Sequence, residues 1–196
     1  MEELTKIENL DDYIKYILFK EINESKIELS KKEISNCNFE NCRFIETNFE
    51  LTSFDKVVFK DCDFSNSNFS EANFVKVEFV NCKIIGGNFT QASLYETKID
   101  FCNFKYSNFS LATLKNVKME ESNFSNSSIS EAKLKNTIFN KIDFTNSQIF
   151  NTNLNKIDFS NCNIEGIIIG REDLKGMIVN EFQALELSKL LGIIIK

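Results

Sequence analysis

The chain has 196 residues, 42% of them hydrophobic, with 20 Phe, no Trp, His or Pro, and a formal net charge of −6. That length suits one domain, and the acidic balance argues against binding bare nucleic acid by general electrostatics. The cysteines, Cys37, Cys42, Cys62, Cys82, Cys102 and Cys162, contain no CxxC pair and no His stands near to complete a zinc site, so no metal or cofactor is expected.

From the N-terminus, Met1–Leu10 is charged and lacks the apolar core of a signal peptide. Leu10, Ile14, Ile17 and Leu18 share a helical face, with Asn9 as N-cap and Asp11 and Asp12 in the first turn. This predicts an N-terminal cap helix over residues 1–26, covering the open end of the first coil or binding a partner. No apolar stretch reaches the roughly 18 residues of a membrane span, and Leu190–Ile195 is far shorter. A cytoplasmic protein with reduced thiols and no membrane contact is the expectation.

A repeat begins with Ile27 and Leu29, and residues 27–180 carry it. Every fifth residue from Ile34 to Leu174, 29 positions in all, is Phe, Ile, Leu or Met. The residue two before each is mostly small, and a polar residue, often Asn or Asp, stands between. Ser67-Asn68-Phe69-Ser70-Glu71 shows the unit. Five residues on an α-helix turn about 500°, so the large side chains would make no face. On a flat strand an odd step alternates sides. The chain must therefore turn once per unit.

The small inward residues give the number of units per coil. Cys42, Cys62, Cys82 and Cys102 recur every 20 residues, Ala72, Ala92, Ala112 and Ala132 do so on another side, and Ser107, Ser127 and Ser147 on a third. The outward Asn48, Asn68, Asn88 and Asn108 keep the same step. Four units per turn make a square β-helix, with like residues stacked at about 4.8 Å; about seven coils would make a rod of roughly 34 Å. Free Cys in a slot that Ala, Ser, Thr and Val fill elsewhere reads as a small hydrophobe, and the Asn column reads as stacked amides. Gly86-Gly87 reads as a kink or tight inward slot.

Cys37-Asn38-Phe39, Cys42-Arg43-Phe44, Ala72-Asn73-Phe74 and Ala132-Lys133-Leu134 resemble the pentapeptide-repeat family, whose usual unit is A(D/N)Lxx. The resemblance implies an all-β, right-handed quadrilateral β-helix. Gly170-Arg171-Glu172-Asp173-Leu174-Lys175-Gly176-Met177, Phe182-Gln183-Ala184-Leu185 and Leu190-Leu191-Gly192-Ile193 are similar to the C-terminus of Qnr and MfpA-like proteins. In those a C-terminal helix makes a dimer that protects DNA gyrase or topoisomerase IV from quinolones, and related members protect against gyrase-directed toxins. Some Qnr proteins carry loops between repeats that contribute to protection. The register here is unbroken from Ile34 to Leu174, which implies a loop-free member.

Residues 181–196 form the tail. Glu181–Leu191 predicts a helix stopped by Gly192. Phe182, Leu185, Leu187, Leu190, Leu191 and Ile193 cover more than one stripe, so one side can cap the last coil and another can form an isologous homodimer; a monomeric cap is the alternative.

Catalysis has no foothold: there is no His, no glycine-rich phosphate loop and no GxSxG. Assigning charges of residues 34–170 to sides gives +4 on the side centred on Phe54 and Phe74, then −3, −1 and −3, or −3 for the body. A duplex of roughly 34 Å carries about 20 charges. Whole-rod mimicry of DNA is poorly supported. One acidic strip of Glu40, Asp61, Glu78, Asp100, Glu120 and Glu121 remains a candidate for meeting a basic partner, against an ordinary solvated surface of mixed charge. Two functions compete: a non-enzymatic protein that binds DNA gyrase or topoisomerase IV, and a general interaction scaffold with another protein partner.

Overall fold

A computed structural model describes residues 1–7 and 10–194. The chain winds as a parallel β-solenoid with four faces per coil. The first face is a seven-stranded parallel sheet running from Tyr13–Lys15 to Lys133–Lys135. The second is an eight-stranded parallel sheet from Glu2–Leu4 to Ile138–Asn140. The third and fourth faces are mainly ladders of isolated parallel bridges, such as Asp63 with Lys83 and Asn68 with Asn88, with one short strand pair each, Asn23–Ser25 with Arg43–Ile45 and Gln148–Ile149 with Ile168–Ile169. Pairing on both sheets joins residues 20 apart, as Phe54 with Phe74 and Phe79 with Ile99. The square coil read from the small-residue columns is therefore observed.

The corners explain how a five-residue unit turns. Left-handed φ values recur every five residues along almost the whole rod, from Tyr16 at 59° to Lys156 at 66°. Asn and Asp tolerate this region best, and Asn fills many of the corners. After the third and fourth faces the corner is a hydrogen-bonded turn: Ser67 N donates to Phe64 O (3.1 Å) and Ala72 N to Phe69 O (3.2 Å). Positive φ at the third residue of such a turn is the type II signature. Gly86 occupies one corner at φ 70°, and Gly87 takes the inward slot that Ser67 and Ser107 hold in adjacent coils.

The inward Phe residues stack along the axis. Phe69 lies between Phe49 and Phe89, with ring centroids 4.9 Å away on each side and planes 1° and 18° from parallel. Stacked rings along each face and edge-on rings across the axis fill the rod without a channel, each buried Phe contributing about 1.5–3 kcal/mol. Most inward hydroxyls are bonded as well, Thr47 Oγ1 being an exception: Ser67 Oγ donates to Phe44 O at 2.6 Å and Ser147 Oγ to Phe124 O at 2.7 Å.

The expected N-terminal helix is not formed. Tyr13–Lys15 and Ile17–Lys20 are strands, and the solenoid includes Glu2–Leu4 instead of starting near residue 26. Leu10, Ile14, Ile17 and Leu18 satisfy a helical stripe, while Ile14, Phe19 and Leu29 keep the five-residue period and Ile22 fills a small inward slot, so the segment fits both patterns. The strand edges at Glu33–Ser35 and Asn38–Glu40 supply pairing partners, so tertiary hydrogen bonding decides between them. Asn9, the expected N-cap, lies outside the described residues. Leu4 pairs with Phe19, so the first coil is one five-residue unit short.

The C-terminal helix forms as expected. α1 spans Glu181–Ser188, a 3-10 turn comes next at Lys189–Leu191, and Gly192 closes it at φ 75°. No described helix is long and apolar enough to cross a membrane.

Candidate interaction surfaces

The acidic strip lies on the second face and its corner, and most of it is paired. Glu78 bonds Lys98 Nζ at 2.6 Å and Glu121 bonds Lys141 Nζ at 2.7 Å. Asp61 accepts from Asn81 Nδ2 at 2.6 Å, and Glu120 from Asn140 Nδ2 at 2.8 Å. Glu40 stands opposite Lys60 in the ladder. Asp100 is the exception: partial burial, then the nearby charges of Glu120 and Glu78, hold its carboxyl above the usual carboxylate range. The six residues share one side of the rod, but neighbours one coil away neutralise or cover most of their charge.

The Asn and Cys columns are structural. Asn68 Nδ2 donates to Asn48 Oδ1 at 3.0 Å and Asn88 Nδ2 to Asn68 Oδ1 at 2.9 Å, while each Oδ1 accepts the backbone N two residues on. All six cysteines are free and buried. The thiols of Cys42, Cys62 and Cys82 donate to the carbonyls of Phe19, Phe39 and Phe59 at 3.3–3.4 Å. Contact with Cys102 and burial push the Cys82 thiol up, and burial raises Cys162 to about 11. Such thiols are poor nucleophiles. No group of His, Cys, Asp or Glu among the described residues could hold a metal ion.

The C-terminal end separates the six residues expected at a dimer interface. Leu187 is buried against its own solenoid and Leu190 is half-buried there. Phe182 (73% exposed), Leu185, Leu191 and Ile193 face outward. Asn180 caps α1 in a reciprocal box with Gln183, which the pattern N-x-x-Q before an apolar run signals but which the five-residue period does not. Gln183 Nε2 also donates to Phe159 O (2.9 Å) and Cys162 O (2.8 Å), and Asn180 Nδ2 to Ser160 O (2.8 Å). These amides close the open edge of the last coil, and the outer apolar side of the helix stays free. A cleft of about 200 Å³ between helix and coil is lined by Leu174, Met177, Val179 and Leu191 among others.

The corners add a feature that the repeat pattern does not signal. Phe101, Tyr106 and Leu111 occupy three successive corners of one coil at φ 56°, 62° and 63°, and all are exposed. Elsewhere these corners hold mostly Asn, Glu or Lys.

Two family models, described as the pentapeptide repeat region and as eight copies of pentapeptide repeats, match residues 32–109 and three overlapping segments between 92 and 166. The chain belongs to the pentapeptide-repeat family. Among solved structures it is similar to full-length QnrB1, a plasmid-mediated fluoroquinolone resistance protein. The TM-score is 0.52 at 20% identity, over 96% of this chain and 95% of that one. A trypsin-treated variant of QnrB1 gives 0.51 at 20% identity over 99% and 96%. HetL, a pentapeptide-repeat protein involved in heterocyst differentiation regulation in the cyanobacterium Nostoc, gives 0.37 at 15% identity over 85% and 91%. No curated protein matches in sequence.

Proposed function

We propose that this pentapeptide-repeat protein is a non-enzymatic binding protein that acts on DNA gyrase or topoisomerase IV, as a dimer joined through α1. The free apolar side of the C-terminal helix carries the reading. Phe182, Leu185, Leu191 and Ile193 are exposed together at the end of a rod whose flanks are mostly polar. Self-association through such an end buries this patch and doubles the rod in an isologous contact. The protection of the enzyme from quinolones, or from gyrase-directed toxins, rests on the likeness to QnrB1 along nearly the whole of both chains.

The test is a supercoiling assay with purified gyrase and a quinolone. Rescue of supercoiling, or direct inhibition of it, with binding to the enzyme, supports the reading. No effect on supercoiling and no binding defeats it. A general scaffold with a different protein partner is the second reading. The pairing of Glu78 with Lys98 and Glu121 with Lys141 favours it, because a flank neutralised in this way is a weak imitation of a nucleic-acid surface.

A further inference from the structure

The solenoid is open along two of its faces near one coil. The first face ends at Lys133–Lys135 and the second at Ile138–Asn140, yet the chain winds on beyond both. Down the preceding coils the corner amides bond in series: Glu96 N to Lys115 O at 3.0 Å, Asn116 N to Lys135 O at 2.9 Å, and Glu121 N to Asn140 O at 3.0 Å. Among the described residues, that series has no successor from Asn136 N or Lys141 N, and Ala132 O and Thr137 O accept nothing from the coil below. The other two faces hold: Phe144 N bonds Asn163 O at 2.7 Å and Ile168 N bonds Ser147 O at 2.8 Å. The coils are thus joined on one side and parted on the other.

A change of corner accounts for the parting. Earlier turns leaving these two faces lack an internal bond. In the next coil Ile157 N bonds Leu154 O (3.0 Å) and Cys162 N bonds Phe159 O (2.8 Å). These tighter turns draw the chain out of the extended triplets that the strands above need for pairing. Leu134 shows the consequence: it is only partly buried, whereas Phe54, Phe74, Leu94 and Leu114 above it are at most 1% exposed.

An open cleft of about 740 Å³ lies here, lined by Leu111, Ala132 and Leu134 among others, and its charged residues are three lysines, Lys115, Lys133 and Lys135, against one carboxylate, Glu131. Lys133 and Lys135 make no salt bridge among the described residues. Unpaired strand edges recruit other strands, since their N–H and C=O groups need partners.

We propose that this cleft binds an extended acidic peptide segment of a partner protein, which adds as a strand to Lys133–Lys135. Strand geometry fixes the pattern. Residues on either side of the segment's centre point outward beside Lys133 and Lys135, where carboxylates are favoured, and the central residue points inward beside Leu134, where an aliphatic side chain is favoured. The ligand core is acidic–aliphatic–acidic.

Two capped peptides, one with a Glu-Leu-Glu core and one with Lys-Leu-Lys, provide the probe, titrated onto the full chain with amide exchange read residue by residue. In the free protein the amides of Leu134, Asn136 and Lys141 should exchange at least tenfold faster than those of Glu96 and Asn116. The Glu-Leu-Glu peptide should slow those of Leu134 and Asn136 while leaving that of Lys141 on the second face unchanged, and bind at least tenfold more tightly than its lysine counterpart, and the Lys133→Glu/Lys135→Glu variant, changed only at exposed positions, should reverse that preference. Equal exchange in the free protein would mean a closed ladder and overturn the proposal. So would equal affinity for both peptides, no binding by millimolar peptide, or protection of the Leu134 and Asn136 amides by duplex DNA but by neither peptide.

Discussion

Asp100 and Glu120 stand directly opposite each other in the parallel ladder of the second face, one coil apart. Like charges so placed repel, and Asp100, partly buried, has its carboxyl raised above the ordinary range. A raised carboxyl means that the folded state binds its proton more tightly than the unfolded state. Stability from this site is present in full below the unfolded value near 4 and falls as pH rises through the raised folded value. Asp100→Asn should therefore stabilise the protein at pH 7 by about 0.5 kcal/mol and leave it unchanged at pH 3. Urea melts at the two pH values measure this, and an equal effect at both would refute the assignment.

Phe69 tests the core. It is fully buried between the rings of Phe49 and Phe89. Removing its ring leaves a cavity that neighbours fixed by the coil spacing cannot fill, so Phe69→Ala should cost about 4 kcal/mol. Asn68→Ala, one residue away on the outside, loses the amide bond to Asn48, the one accepted from Asn88 and the cap on Ser70 N, together worth about 1 kcal/mol at this part-exposed site. Shifts in the urea midpoints of the two variants should stand in that ratio.

The corners predict gains of stability. Phe101 sits at φ 56° with 57% of its surface exposed, between Asn81 and Glu121 in its corner column. Bulky side chains in the left-handed region cost about 1–2 kcal/mol, and Asn recovers part of that. Phe101→Asn should raise stability by about 1 kcal/mol, and Tyr106→Asn and Leu111→Asn should act alike. A fall in the thermal midpoint of all three would show that these side chains contribute packing outweighing the strain.

The reach of the sequence has the same physical basis. The five-residue period was legible because each inward position must be apolar, and the 20-residue columns because coils stack like on like. The surface pairs were legible too: Lys98 is Glu78 plus one coil and Lys141 is Glu121 plus one coil, which already weakens an acidic strip. The N-terminal coil was hidden because Glu24 and Asn9 interrupt the apolar series between Leu4, Ile14, Phe19 and Leu29. The parting beside Leu134 left no trace, since Leu134, Phe139, Leu154 and Phe159 keep the period; it depends on corner conformation, which composition there does not dictate.

The last prediction separates the two jobs of the C-terminal helix. Phe182 is exposed, while Gln183 beside it is buried and bonds two carbonyls of the last coil. Phe182→Asp removes apolar surface from the free side and touches nothing in the cap. If α1 joins two copies, this variant should halve the mass seen by light scattering and keep its circular dichroism and urea midpoint. Gln183→Ala leaves Phe159 O and Cys162 O buried without that donor, a loss of about 1–3 kcal/mol, and also removes half of the capping box. Amide exchange in residues 183–188 should then quicken at least tenfold while the coils above keep their protection. A full-length protein already monomeric, or a Phe182→Asp variant that stays dimeric, would place any self-association elsewhere and leave α1 as a cap alone.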